Sequence, residues 1–113
     1  MEFLQVLKII AALATVATGL LAFIKPTATY GFIGLNAIGV RGISEVRSIF
    51  GGLFIGLGLA PLFLGTPAYQ MLGIGYLAIA AARIISIVLD KSYAQSNIIS
   101  LVTEIVLGVI LVL

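Results

Sequence analysis

Long apolar stretches broken by very few charges limit this chain more than any other feature. Only ten charged residues, six basic and four acidic, occur among its 113. Two of them, Arg83 and Glu104, stand inside runs that otherwise read as lipid-spanning helices. A charge near the bilayer centre costs on the order of 3 kcal/mol even on lenient insertion scales, so it persists only where it is paired, hydrated or in use. Soluble domains are about 45–50% apolar and about 25% charged. Here the figures are 62% and 9%, which points to a single all-α integral membrane domain over residues 1–113.

Four segments approach the roughly 20 apolar residues that a spanning helix needs. They run over about 3–24, 44–64, 68–89 and 96–113. Lys25-Pro26 closes the first, because the residue before a proline is pushed out of the helical region. Gly65-Thr66-Pro67 closes the second and Asp90-Lys91 the third. The N-terminal run is long for a signal peptide and its first charge is acidic, so it reads as a retained helix. Residues 26–43 carry Gly31, Gly34, Gly39 and Gly42, which weaken a helix, and read as a short interfacial helix or re-entrant loop. Pro61 is expected to kink the second helix or end it early. With Trp absent, Tyr30, Tyr69, Tyr76 and Tyr93 are expected to anchor the membrane interfaces. The fold is then an antiparallel four-helix transmembrane bundle with an irregular first loop.

Lys25, Arg41 and Lys91 fall on one side of such a bundle, with Arg47 just inside. The other side holds the N-terminal amine, Lys8 and the uncharged loop GTPAYQ. Basic residues favour the cytoplasmic side, which puts both termini on the non-cytoplasmic face.

Absences remove several chemistries. With neither Cys nor His, zinc sites, thiol redox chemistry, His- or Cys-ligated haem and Ser-His-Asp triads are excluded. No cofactor or metal is implied. A net charge of +2 without a basic run does not suggest nucleic acid.

Polar residues gather on particular faces. Arg83, Ser86 and Asp90 share one face of the third helix, and Asn97, Ser100, Glu104 and Gly108 share one face of the fourth. Arg83 lies seven residues before the end of its helix and Glu104 seven after Asn97. Both are then about 10 Å below the same surface, and an Arg83–Glu104 ion pair is expected. Glu45 and Arg47 start the second helix on that side, so the expected cluster is Glu45, Arg47, Arg83, Asp90 and Glu104, with Ser86 beside it and Arg41 completing the charge balance. Below Glu45, the stripe Ser48, Gly52, Gly56 and Ala60 follows helical spacing and is expected to pack helices closely. Lys8, Ala11, Thr15, Thr18 and Ala22 make a similar stripe on the first helix.

The run RGISEVRSIFGGLFIGLGLAPL, then ARIISIVLD, then a lone Glu in the final span, resembles a bacterial family of small four-helix membrane proteins. That family is catalogued as a domain of unknown function, number 4345. Glu45, Arg47, Gly51, Gly52, Arg83, Ser86, Asp90 and Glu104 carry the resemblance. It implies the topology, a bacterial inner membrane as the location and a single charged constellation, and supplies no reaction. Small multidrug-resistance transporters share the length and the four spans, but their membrane-embedded Glu lies on the first helix, and this chain has only Glu2 at the start of that helix.

Three functions are compatible with these residues. The leading one is a non-enzymatic accessory or binding module that holds a polar headgroup or partner, with membrane lipids, a homo-oligomer or a larger membrane complex as its company. The second is a small homo-oligomeric or proton-coupled transporter using Glu45 or Glu104. The weakest is a lipid-modifying enzyme relying on carboxylate acid–base catalysis. Beside all three stands a purely structural use, in which buried Arg–carboxylate pairs fix helix register.

Overall fold

Helix ends follow the chain's prolines and glycines. The computed structural model describes residues 2–113, and Met1, with the N-terminal amine, lies outside the described residues. α1 (Phe3–Ile24) stops at Lys25, before Pro26. α2 (Gly39–Leu64) ends at Gly65, whose φ of 79° and ψ of −152° lie in a region open essentially to glycine alone. α3 (Thr66–Asp90) follows at once, with Pro67 in its first turn, where a missing N–H costs nothing. α4 (Gln95–Val112) follows a four-residue turn, Lys91 to Ala94. All four helices are long and apolar enough to cross a membrane. The fold is an all-α polytopic bundle.

The first loop is more structured than its glycines suggest. It makes a 3-10 turn (Pro26–Thr29) and one α-turn (Tyr30–Ile33), closed by Gly34 at φ 72°. The α2 helix starts at Gly39, five residues before the expected 44, so residues 39–43 belong to the helix rather than the loop. Pro61 does not end α2, which continues to Leu64 with Pro61 buried inside it. Within α2, Val46–Leu53 winds as a π-helix. Such stretches are rare in helices and recur at functional sites.

Lipid tails are as apolar as leucine, so helices in a membrane associate through close packing rather than hydrophobic gain. Glycines provide that closeness here. A Cβ on Gly19 would stand 2.7 Å from the Gly51 carbonyl oxygen, and one on Gly58 would stand 2.8 Å from that of Ala12. These contacts lock α1 against α2. A Cβ on Gly73 would stand 2.9 Å from the Gly108 carbonyl oxygen, which locks α3 against α4. Two helical hairpins result. Ala11, Ala12, Tyr69, Leu72, Tyr76 and Leu111 form the core between them. The Tyr76 hydroxyl and Thr15 Oγ lie 2.6 Å apart in a hydrogen bond that ties α3 to α1. The bundle is flattened, with Cα extents of 44 × 31 × 17 Å, and its outer faces expose large apolar side chains such as Phe63, Met71, Ile85 and Leu89.

Candidate functional site

Arg83 and Glu104 meet because one short turn joins their antiparallel helices. Arg83 Nε donates to Glu104 Oε1 at 2.7 Å and Nη2 donates to Oε2 at 2.6 Å. This two-pronged geometry is the strong form of an Arg–carboxylate pair. Glu104 is buried, its side chain 11% exposed, and the Arg83 side chain is 29% exposed. Arg83 Nη1 donates to Asn97 Oδ1 at 2.8 Å. Asn97 in turn donates through Nδ2 to the Ser92 carbonyl and hydroxyl, both at 3.0 Å. Asn97 therefore fastens the α3–α4 turn to the guanidinium. A guanidinium carries five N–H donors. Among the described residues, three are taken by Glu104 and Asn97, and two are left.

The other members of the expected cluster stand apart from this pair. Glu45 pairs with Arg41, one turn earlier on α2, and both side chains are exposed. Arg47 is exposed and has no ion-pair partner among the described residues. Ser86 donates to Asp90 at 3.1 Å on an exposed face of α3. The early start of α2 explains the difference for Glu45. With a helical turn already formed from Gly39, Arg41 is its nearest partner at i−4. Asp90 and Glu104 likewise stay separate, and no group of three acidic side chains that could hold a metal occurs among the described residues.

The expected packing stripe of α2 is also displaced. A Cβ on Gly56 would meet nothing within 4 Å, and one on Gly52 only the Arg47 carbonyl oxygen at 3.9 Å. Ser48 and Gly52 are exposed, and Ala60 is half-buried. Val46, Gly51, Gly58 and Pro61 are the buried positions instead. A π-helical turn holds more residues than an α-turn, so counting at α-helical spacing from Glu45 arrives on the wrong face. On α1, Ala11, Thr15 and Ala22 are buried as the stripe requires, but Thr18 faces outward and Gly19 takes its place.

Three openings adjoin the ion pair, the shallowest of them lined by Ile79, Ala82, Arg83, Ser86 and Asn97. A cleft of about 470 Å³ is lined by Arg83 and Asn97 together with the hydroxyl-bearing Ser86, Ser92, Ser96 and Ser100. Phe32, Ile33 and Phe50 form its apolar wall. A groove of about 270 Å³ lies on the other side of Glu104 and reaches Tyr76, Thr18, Thr103 and Leu107. Phe32 and Ser100 line both spaces. The π-helical stretch serves both as well: Phe50 walls the cleft, Phe54 walls the groove, and their rings lie 6.5 Å apart.

Charge is uneven along the bundle. Five of the six basic residues and three of the four acidic ones lie at the end holding Arg83, which has the whole formal excess of two positive charges. Lys8 and Glu2 balance at the other end.

Several participants in the site do not follow from residue spacing. Asn97 is on the polar face of α4, but its bond to Arg83 does not follow from spacing alone. Tyr76 was expected as an interfacial anchor and is instead buried in the middle of α3. The available signal was its position seven residues before Arg83, on the same helix face. Phe32 and Ser92 lie in turns without periodicity, and nothing in the sequence marked them.

Residues 3–113 match the family described as Domain of unknown function (DUF4345). The chain belongs to that family. No curated protein and no solved structure matches it.

Proposed function

We propose that this protein is a non-enzymatic binding module of the bacterial inner membrane that holds the polar headgroup of a membrane lipid in the Arg83 cleft. The observation that carries this reading is the guanidinium itself. Glu104 and Asn97 fix its plane, two of its donors are left over, and it lines a cleft rimmed by four serines. Acceptor oxygens, such as those of a phosphate ester, are what two fixed N–H donors and several hydroxyls recognise. Ion pairing to Glu104 neutralises most of the local charge, so the serines and the leftover donors select by hydrogen bonding. The positive excess at this end favours an anionic headgroup. It also favours placing this end in the cytoplasm, with both termini on the opposite face. No side chain near the cleft combines a nucleophile with a histidine base, which supports binding over turnover.

The test is lipid retention. Protein extracted in native-membrane particles, transferred to mild detergent and weighed intact should keep a bound phospholipid. Arg83→Lys keeps the charge facing Glu104 but loses the forked donors, and retention should fall about tenfold, the equivalent of one good hydrogen-bonding group. Equal retention by wild type and Arg83→Lys would refute the reading.

A further inference from the structure

The groove beside Glu104 shares Phe32 and Ser100 with the headgroup cleft. Its walls come from Ala14 and Thr18 of α1 and from Thr103 and Leu107 of α4. These are the first and last helices. No loop joins them, and their seam is looser than those within the two hairpins. Ala14, Thr18 and Thr103 are exposed, so the groove opens sideways between α1 and α4. The hydroxyls of Thr18 and Thr103 are already committed to the carbonyls of Ala14 and Ile99. Most of the remaining lining is hydrocarbon or aromatic: Phe32, Phe54, Leu107 and the ring of Tyr76. From Ser100, shared with the cleft, to Leu107 the groove follows about 10 Å of helix axis.

We infer that this groove takes one acyl chain of an anionic glycerophospholipid whose headgroup occupies the Arg83 cleft. The inference rests on the headgroup reading above and adds the ligand's class and its route. Continuity carries it: Ser100 and Phe32 line the polar cleft and the apolar groove alike, so a molecule reaching both has a polar end and an apolar end joined at that point. A lateral opening in a membrane-crossing bundle admits such a molecule from the bilayer without moving its headgroup through hydrocarbon. Exchanging bilayer for groove brings the chain no hydrophobic gain, because both surroundings are apolar. Affinity then resides in the headgroup, and the groove decides which chain position is held.

The probe is a phosphatidylglycerol carrying a photoreactive diazirine midway along one chain. Full-length protein is placed in nanodiscs of phosphatidylcholine doped with this lipid, irradiated, and the adducts are mapped by peptide mass spectrometry. The expected result is labelling concentrated on residues 14–18 and 103–107, chased by unlabelled phosphatidylglycerol and reduced about tenfold in Arg83→Lys. Ala14→Phe, which fills the groove from an exposed position, should remove that labelling while the protein still retains lipid through Arg83. Labelling spread evenly over the outer faces, with Arg83-dependent retention intact, would overturn the groove and leave the headgroup reading standing. Groove labelling indifferent to Arg83→Lys would overturn both.

Discussion

Removing Arg83 while leaving Glu104 should harm this protein more than removing both. In Arg83→Ala the Glu104 carboxylate, with an 11% exposed side chain, loses both of its donors, and Asn97 Oδ1 loses its partner. Breaking a buried pair from one side costs about 3–5 kcal/mol, because an unpaired charge is left behind. The 29% exposure of the Arg83 side chain lets water or lipid headgroups relieve part of this, which places the cost at about 3 kcal/mol. In Arg83→Ala with Glu104→Ala no charge remains, and the cost falls to about 1 kcal/mol of lost packing. The difference of about 2 kcal/mol corresponds to roughly 30-fold in the folding equilibrium. Arg41→Ala is the control, since its pair with Glu45 is exposed and should cost under about 0.5 kcal/mol. Reversible unfolding in mixed detergent micelles, followed by helix-sensitive circular dichroism, measures all four proteins. Equal destabilisation by the single and the double substitution would refute the pairing argument.

Three further outcomes are expected. Gly19→Ala should destabilise by about 1–3 kcal/mol in the same assay, because its Cβ would press on the Gly51 and Ile55 backbone, whereas Gly56→Ala should be neutral or slightly stabilising; the reverse order would return the packing face to the Gly52–Gly56 stripe. Tyr76→Phe should cost about 0.6 kcal/mol, the usual worth of an interhelical hydrogen bond in a membrane bundle, since Thr15 keeps its bond to the Ala11 carbonyl. Proteoliposomes should show only background proton flux, unchanged in Glu104→Gln, because both carboxylate oxygens are held by Arg83. Flux abolished by Glu104→Gln would replace the binding reading with a proton-coupled transporter.

Rare features were the legible ones. Charges in apolar helices are so few that counting residues from a shared turn was enough to pair Arg83 with Glu104. Prolines and glycines mark two helix ends and Asp90-Lys91 a third, each within a residue or two. Where the backbone left regular geometry, the pattern failed. The π-helical stretch at Val46–Leu53 rotated the rest of α2, so Gly51 and Gly58 pack where Gly52 and Gly56 were expected. The early start at Gly39 gave Glu45 a partner on its own helix, which drew it out of the expected cluster. Phe32 and Ser92 reach the cleft from turns, and side-chain direction in a turn depends on dihedrals that no periodicity announces.

The central claim is that the Arg83 cleft holds a lipid headgroup, and a structure determined in retained native lipid tests it most directly. The expected result is density for a phosphate-bearing headgroup within hydrogen-bonding distance of the Arg83 guanidinium, among Ser86, Ser92, Asn97 and Ser100. A cleft closed by side chains around a fully paired Arg83, with lipid only on the outer faces, would contradict it and leave the ion pair a device for fixing helix register.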